Sequence, residues 1–319
     1  MAETVLELNN LYVYYDNIPI VRDINLKLEK GEFLGIVGES GCGKTTLLKS
    51  LMMLESKGSS ICGSIRFKDT ELTKLSSNDM RKLRGSNIAM IPQNASAALD
   101  PTKTVSSLFY ETIRVHGQKI SRKESDKRAS EIMERLMLDD TERILKSYPF
   151  ELSGGMCQRV FIASAIVNAP ELLLGDEPTS ALDVTSQLEV VNQLKNLKGN
   201  FGISCVLISH NMGVVAALAD TIAVMYGGRI VEYAPKDELL KNPSHPYTKA
   251  LIEAVPDLSG NISKGLDGIP PAFTEELTGC PFEARCPSKT EMCSGFEFEY
   301  GSVSPGHLVG CRHFVKKEV

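Results

Sequence analysis

Residues Gly38 to Thr45 read Gly-Glu-Ser-Gly-Cys-Gly-Lys-Thr, and this stretch decides the fold. Its spacing fits the pattern of a phosphate-binding loop, in which a glycine and four residues precede Gly-Lys-Thr. The apolar run from Glu32 to Val37 predicts a buried strand before the loop, and Thr46 to Leu54 predicts a helix after it. Because the pattern stands between a strand and a helix, we predict that this segment binds the phosphates of ATP or GTP.

Each part of the loop supplies a different contact to a triphosphate. Glycines let the backbone turn sharply, so that successive N–H groups point at the anionic oxygens. Lys44 would reach the β- and γ-phosphates, and the Thr45 hydroxyl would hold Mg²⁺. We predict nucleotide contacts from the whole loop and the residue after it: Gly38, Glu39, Ser40, Gly41, Cys42, Gly43, Lys44, Thr45 and Thr46.

Length and composition fit a soluble globular protein. The chain has 319 residues, of which 42% are hydrophobic and 24% charged, so it can hold one large α/β domain and a smaller segment. A net charge of −5 disfavours nucleic acid as the main partner. The N-terminus has no signal-peptide pattern, and no apolar stretch approaches the ~18–20 residues of a membrane-spanning helix. We expect a cytoplasmic chain that meets a membrane only through a partner.

Strand-like and helical segments alternate along most of the chain. Residues 4 to 37 predict an initial β-region, and residues 104 to 145 are helical in pattern. Apolar runs that read as buried strands follow at 171–175, 204–209 and 221–225. This order predicts an α/β fold with a mostly parallel sheet and helices on both faces. An N-terminal β-subdomain and a helical subdomain at about 95–150 would be built onto it.

Two further groups of residues suit nucleotide chemistry. Asp176 and Glu177 end an apolar strand, and ligands of a parallel sheet collect at that edge. Asp176 is placed to hold Mg²⁺, and Glu177 could polarise the attacking water. Ser153 with Gly154 and Gly155 precedes a helical run and forms either a second anion site or an ordinary helix cap.

With these residues in place, the chain resembles the ATPase subunit of an ABC transporter over about residues 5 to 255. The resemblance rests on six further positions in the family's order: Tyr15, Gln93, the signature Ser153-Gly154-Gly155, Asp176-Glu177, the D-loop Ser180 to Asp183, and His210. It departs from the frequent pattern at Met156 and Asn211, and we expect both departures to be tolerated.

The resemblance implies that the α/β fold is a P-loop NTPase core of the RecA-like type, and it implies a role for each position. Tyr15 would stack on adenine, Gln93 would contact Mg²⁺ and the attacking water, and His210 would contact the γ-phosphate. Lys44, Gln93, Glu177 and His210 are therefore the predicted catalytic residues. In this family two cassettes meet head to tail, so that the signature residues and Asp183 of one cassette complete the ATP site of the other.

The last part of the chain resembles the C-terminal segment of dipeptide, oligopeptide and nickel importer ATPases. The matching stretches are Asn242 to Pro256 and Ile269 to Pro271. We therefore expect a nucleotide-binding domain over 1–241 and a loop-rich extension over 242–319. The implied partners are a second ATPase subunit in a heterodimer, two membrane permease subunits and, indirectly, an extracellular substrate-binding protein. The chain would then sit peripherally on the cytoplasmic face of the membrane.

Several alternatives remain open at this point. The transported solute is a di- or oligopeptide in the leading interpretation, and nickel or another metal chelate in the alternative. A soluble ABC-type ATPase acting on DNA or ribosomes would carry long coiled coils, paired cassettes or an inserted zinc module, and the sequence shows none of these. A third alternative is an iron–sulfur binding module for which ATP hydrolysis is secondary. The presence of both Glu177 and His210 argues against this alternative.

Four of the eight cysteines lie in the extension: Cys280, Cys286, Cys293 and Cys311. Disulfides are disfavoured in a reducing cytoplasm, so these thiols predict a metal site. Their spacing, C-x5-C-x6-C-x17-C, is wider than that of structural zinc ligands and favours a [4Fe–4S] cluster, with Zn²⁺ or no metal as the alternatives. Related importer ATPases carry a similar cluster-binding tail. His307 and His313 are either substitute ligands or surface residues, and the remaining cysteines, Cys42, Cys62, Cys157 and Cys205, read as buried thiols.

Overall fold

The computed structural model of the chain describes residues 3–54, 56–180, 182–255, 266–273, 279–293 and 295–315. Its strands are β1 Thr4–Tyr15, β2 Ile18–Glu29, β3 Phe33–Val37, β4 Ser59–Phe67, β5 Thr70–Glu71, β6 Ile88–Ile91, β7 Leu172–Asp176, β8 Ser204–Ser209, β9 Thr221–Tyr226, β10 Arg229–Pro235, β11 Gly301–Ser304 and β12 His307–Val309. Its α-helices are α1 Lys44–Leu51, α2 Ser77–Leu83, α3 Ala95–Ala98, α4 Val105–Val115, α5 Arg122–Arg135, α6 Thr141–Lys146, α7 Gly154–Ile166, α8 Val184–Phe201, α9 Met212–Leu218, α10 Lys236–Lys241 and α11 Pro246–Glu253.

The chain forms two compact units. One comprises Met1–Val5, Glu29–Glu32 and Lys74–Leu207, and the other comprises Leu6–Leu28, Phe33–Thr73 and Ile208–Val319. The second unit contains the phosphate loop and the C-terminal extension, and the first contains Gln93, the signature residues and the paired acids.

In the second unit, strand β3 delivers the chain into the phosphate loop. Each residue of β3 is buried, and the strand runs parallel to β9 with Leu34 opposite Thr221. Helix α9 packs so closely on β3 that a Cβ at Gly35 would lie 2.2 Å from Cγ1 of Val215. Helix α1 follows the loop, as predicted, but it ends at Leu51 instead of Leu54. The chain leaves the helix through Met53, whose φ is 48°, and the Leu54 N–H bonds back to Lys49 in a Schellman-type ending.

The predicted N-terminal β-region is present in the same unit. Its strands have the order β2-β1-β4-β5, and β1 is antiparallel to β4. Asp16 and Asn17, which join β1 to β2, have φ values of 48° and 66°. Two consecutive left-handed residues form the hairpin turn that matches strand twist, and Asp and Asn tolerate this conformation best after glycine.

The C-terminal extension continues the sheet of the second unit. Strand β10 is antiparallel to β9, β12 is antiparallel to β10, and β11 is antiparallel to β12. Phe282, fully buried, packs in one hydrophobic cluster with Tyr226 and Tyr247. These antiparallel strands were not predicted, because β11 and β12 are too short to show a period. The domain boundary at 242 stays a prediction.

The first unit contains parallel strands and the predicted helical segment. Strands β6 and β7 run parallel with Ile88 opposite Leu172, and β8 follows β7 in the strand order. The helical pattern at 104–145 is resolved as α4, α5 and α6. Helix α5 begins with a capping box between Ser121 and Glu124, which explains where this helix starts. Among the helices that the structure describes, none is both long and apolar enough to span a bilayer.

Candidate nucleotide site

The glycines of the phosphate loop are required for two different reasons. Gly41 and Gly43 have φ values of 81° and 105°, a region that side chains disfavour. Gly38 has an ordinary φ, but a Cβ there would lie 2.1 Å from the carbonyl oxygen of Met225. Gly41 and Gly43 are therefore needed for their backbone conformation, and Gly38 is needed because the backbone of Met225 lies against it.

Lys44 lies inside the curve of the loop. Its side chain is buried, and Nζ donates to the carbonyl oxygens of Gly38 at 2.8 Å and Glu39 at 2.9 Å. Nζ also lies 3.7 Å from Sγ of Cys42. Burial raises the pKa of the Cys42 thiol, and the Lys44 ammonium only partly opposes this shift. Lys44 thus places a positive charge at the centre of the loop beside a neutral thiol.

The remaining predicted nucleotide contacts of this unit occupy their expected elements. Thr45 and Thr46 are half-buried in the first turn of α1. Tyr15 ends β1, half-buried, opposite Ser59. His210 is exposed directly after β8, where Asn211 caps α9 by accepting the N–H groups of Gly213 and Val214. Asn211 therefore has a structural role of its own.

In the first unit, Gln93 contacts one of the paired acids, Asp176 and Glu177, with which it is predicted to act. Asp176 ends β7 and is 4% exposed, whereas Glu177 has a left-handed backbone with φ 46°. Gln93 Nε2 donates to Glu177 Oε2 at 3.4 Å, and the Ser180 hydroxyl donates to the Gln93 carbonyl at 3.3 Å. A non-glycine residue with positive φ is uncommon outside sites where the surroundings hold it. The structure therefore brings Gln93 and Glu177 together.

The signature residues lie at the start of helix α7. Ser153 caps the helix by accepting the Met156 N–H at 3.2 Å. A Cβ at Gly155 would lie 2.8 Å from Oγ of Ser186, whereas a Cβ at Gly154 would meet no atom within 4 Å. Gly155 is thus needed for packing against α8, and Gly154 leaves the helix tip open to approach.

Asp183 has a structural role in the same unit. It caps α8 by accepting the N–H groups of Thr185 and Ser186 and, at 2.7 Å, the Ser186 hydroxyl. The backbone N–H of Ser186 is the main cause of the lowered pKa of the Asp183 carboxyl. Its predicted contact with nucleotide stays a prediction.

The four cysteines of the extension are neighbours. The pKa of the Cys280 thiol is raised to about 12, chiefly by burial, with smaller contributions from the nearby Cys311, Cys286 and Cys293. Cys293 and Cys311 are buried. Within the described part of the chain, no three His, Cys, Asp or Glu side chains are arranged to hold a metal ion. The iron–sulfur prediction is therefore unsupported by the geometry and stays a prediction.

Two expectations about single residues were wrong. His307 is neither a surface residue nor placed as a cysteine-cluster ligand, because it is fully buried and its Nε2 lies 2.7 Å from Oε1 of Glu232. Cys62 is exposed on β4, whereas a buried thiol was expected. His313 is exposed, with Nε2 4.0 Å from Sγ of Cys293.

Sequence reasoning missed the residues of the extension that contact the phosphate loop. The Glu39 N–H donates to the Tyr247 hydroxyl at 2.8 Å, and the Glu39 carboxylate binds Arg285. Glu39 and Arg285 are 246 residues apart, so no local pattern could have predicted the pair.

Comparison with known proteins identifies the class to which this fold and site belong. The model of the ABC transporter family matches residues 21–180, which contain both the phosphate loop and the paired acids. The ATP-binding cassette MJ0796, in a dimer bound to ADP and Pi, has a TM-score of 0.64 and 27% identity, covering 72% of this chain and 98% of that one. This chain belongs to the ABC transporter family, and its activity is that of an ATP-binding ATPase.

A second family model and the similar curated proteins indicate which kind of ABC transporter subunit this chain resembles. The model of the oligopeptide/dipeptide transporter C-terminal region matches residues 231–293. The dipeptide transport ATP-binding protein DppD of Bacillus subtilis is 39% identical, covering 97% of this chain and 94% of that protein. The oligopeptide transport ATP-binding protein OppD of Salmonella typhimurium is 37% identical, with 97% and 94% covered.

Proposed function

We propose that this chain is the ATP-hydrolysing subunit of an importer that couples ATP binding and hydrolysis to the uptake of di- and oligopeptides. The observation that carries this proposal is the match of residues 231–293 to the peptide-transporter C-terminal region, in the same chain as the ABC transporter match at residues 21–180. It is supported by relatives named for dipeptide and oligopeptide transport that align with nearly the whole chain.

The phosphate loop binds ATP. The loop amides, the N-terminus of α1 and the buried Lys44 ammonium attract the triphosphate, and Tyr15 stacks on adenine. Thr45, Gln93 and Asp176 offer a hydroxyl, an amide oxygen and a carboxylate, which are the oxygen ligands that Mg²⁺ prefers. Bound Mg²⁺ supplies positive charge that offsets the charge of the phosphates.

Glu177 and the groups around it catalyse the hydrolysis of ATP. The Gln93 amide donates to Oε2 of the Glu177 carboxylate at 3.4 Å, and this contact helps to orient the carboxylate. Glu177 then orients the attacking water and takes its proton, and His210 contacts the γ-phosphate. Preorganised charge of this kind accounts for most of the rate in phosphoryl transfer.

The signature helix completes the site of a second cassette. The open Gly154 and the capped tip of α7 suit close approach by phosphate oxygens of a nucleotide held elsewhere. A second, homologous ATPase subunit in a heterodimer would supply the complementary site. Two permease subunits would carry the pair on the cytoplasmic face of the membrane, with an extracellular substrate-binding protein delivering the solute.

The solute is tested by stimulation of ATP turnover in the assembled transporter. We expect a di- or oligopeptide, delivered by the binding protein, to raise the rate several-fold, while nickel and nickel chelates leave it unchanged. Stimulation by nickel alone would replace the peptide assignment with the metal-importer alternative.

We propose further that Cys280, Cys286, Cys293 and Cys311 hold a [4Fe–4S] cluster. This is supported by four neighbouring thiols in one short segment, and each cysteine of such a cluster binds a different iron, so the sulfurs need not surround one ion. Anaerobically purified protein should contain iron and acid-labile sulfide and should be brown. Colourless protein with one zinc per chain would contradict the cluster and establish Zn²⁺ instead.

A further inference from the structure

Arg285 connects the C-terminal extension to the phosphate loop. It ends the 3-10 turn Glu283–Arg285, immediately before Cys286, and its side chain is only 5% exposed. Its Nη1 donates to Oε2 of Glu39 at 2.7 Å and its Nη2 to Oε1 of the same residue at 3.1 Å. Two parallel charge-assisted bonds fix the direction of both side chains.

The guanidinium has no freedom to turn away from the loop. Nε donates to the Asp267 carbonyl at 3.0 Å, Nη1 also to the Tyr226 hydroxyl at 3.1 Å, and Nη2 also to the Leu266 carbonyl at 3.3 Å. With the two bonds to Glu39, all five N–H donors of the group are used. The pair with Glu39 is the main cause of the raised pKa of Arg285, which keeps the group charged.

Glu39 is held on every polar group it has. Its carboxylate binds Arg285, its N–H donates to the Tyr247 hydroxyl, and its carbonyl accepts from Lys44 Nζ at 2.9 Å. Two of these three contacts come from the extension. The segment between Gly38 and Gly41, on which the inward direction of the loop amides depends, is therefore fixed from outside the loop.

The support behind Arg285 is rigid. Phe282, directly before the turn, packs edge-on against Tyr226 with ring centroids 5.2 Å apart, and its ring centroid lies 5.3 Å from that of Tyr247. The turn itself is closed by bonds from Glu283 N–H to the Cys280 carbonyl and from Cys286 N–H to the Glu283 carbonyl.

We propose that Arg285 is a positioning residue of the nucleotide site, which holds the phosphate loop in its binding conformation through Glu39. The proposal rests on the function proposed above for this loop. Without Arg285, Glu39 keeps only its contacts with Tyr247 and Lys44, so the nucleotide must supply part of the ordering of the loop and ATP binding weakens. Glu177 still activates water once ATP is bound. The variant should therefore raise KM for ATP and leave kcat nearly unchanged.

The test measures binding of a fluorescent ATP analogue, with Mg²⁺, to the full chain. We expect Arg285→Gln to raise Kd roughly tenfold, a typical size for coupling between sites. Lys289→Gln is the matched control, because it removes an ion pair with Glu283 of the same turn that does not touch the loop. Its Kd should stay within twofold of wild type.

A double-mutant cycle separates positioning from simple support of the extension. In a Glu39→Gln background, Arg285→Gln should have little further effect, because the carboxylate through which it acts is gone. If Arg285→Gln folds poorly, Arg285→Lys keeps the charge but loses the two-bond fork, and it should still raise Kd several-fold. An unchanged Kd in folded Arg285→Gln or Arg285→Lys, or full additivity in the cycle, would overturn the inference. If wild type itself fails to bind the analogue, the proposed function fails instead.

Discussion

The position of the Glu177 carboxylate depends on the backbone conformation of Glu177 and on the side-chain amide of Gln93. Glu177 follows β7 with a left-handed backbone, φ 46°, and Gln93 Nε2 contacts its Oε2. Asp176, one residue earlier, is buried at the strand end and suits a metal ligand. The last residue of β7 and the residue after it, both acids, thus have different surroundings and different expected roles.

Glu177→Gln should keep ATP binding and lose turnover. The amide is nearly the same size but cannot take a proton from water, and general-base catalysis typically contributes about 10²–10⁴-fold. Single-turnover hydrolysis and equilibrium ATP binding measure the two effects separately. Glu142→Gln, on the surface of α6, is the control and should match wild type. Retention of more than a few percent of turnover would rule out the role given to Glu177.

His245 should make stability depend on pH. Complete burial lowers its pKa to about 3, so the folded state keeps the ring neutral where the unfolded chain, with a pKa near 6.5, takes up a proton. The stabilisation from His245 is fully present above about pH 6.5 and is lost as pH falls toward 3, at up to about 1.4 kcal/mol per pH unit. Between pH 6.5 and 5 this amounts to about 2 kcal/mol.

Chemical denaturation of His245→Asn at both pH values tests this dependence. In the wild type, His245 Nδ1 accepts the Tyr247 N–H at 3.1 Å. Asparagine does not titrate, and its side-chain oxygen can accept the same N–H as a helix cap. The variant should lose clearly less stability than wild type between pH 6.5 and 5. Equal losses in the two proteins would show that other groups set the dependence.

At the scale of elements, the turn from β3 through the loop into α1 depends on glycines with distinct tasks. Gly38→Ala should be costly because its Cβ would lie 2.1 Å from the Met225 carbonyl oxygen, which belongs to the backbone of β9. We expect a loss of about 1–3 kcal/mol in the free energy of unfolding, together with weaker ATP binding. Thermal denaturation and nucleotide titration measure both.

Gly199 in α8 provides the matched comparison. It is exposed, and a Cβ there meets no atom within 4 Å. Gly199→Ala should raise the free energy of unfolding by about 1 kcal/mol, because alanine is the better helix former. If both alanine variants were equally stable, the close approach at Gly38 would have no energetic importance.

The sequence predicts elements of this chain better than it predicts their long-range contacts. Strand β3, the loop, α1 and the acids after β7 follow from local patterns, because glycine spacing and apolar runs are local properties. The pairs Arg285–Glu39 and His307–Glu232 join residues far apart in sequence, and neither pair leaves a local signal. The sequence analysis also did not predict that Asp183 and Asn211 cap helices, although both residue types are common at that position.

At the scale of the molecule, the buried pair of Glu232 and His307 joins the extension to β10. Both side chains are fully buried, and the Glu232 carboxylate also accepts the N–H groups of Ser244 and His245 at 2.7 and 3.0 Å. The histidine begins β12, which pairs with β10. One carboxylate thus anchors both the start of α11 and the last hairpin.

His307→Ala should therefore destabilise the protein by about 3–5 kcal/mol, because it leaves a buried carboxylate without its partner. Equilibrium denaturation of the full chain measures the loss. His313→Ala, exposed in the same segment, serves as the control and should change stability by less than about 0.5 kcal/mol. A cost at His307 no larger than at His313 would show that the pair does not anchor the extension.

The most direct measurement is ATP-driven uptake of a labelled di- or oligopeptide into proteoliposomes that contain this chain with its partner ATPase, its permeases and the binding protein. We predict uptake that requires ATP on the side of the cassettes and falls to background with Glu177→Gln in this chain, while Glu142→Gln transports normally. Peptide uptake that continues without ATP, or that survives Glu177→Gln undiminished, would contradict the account.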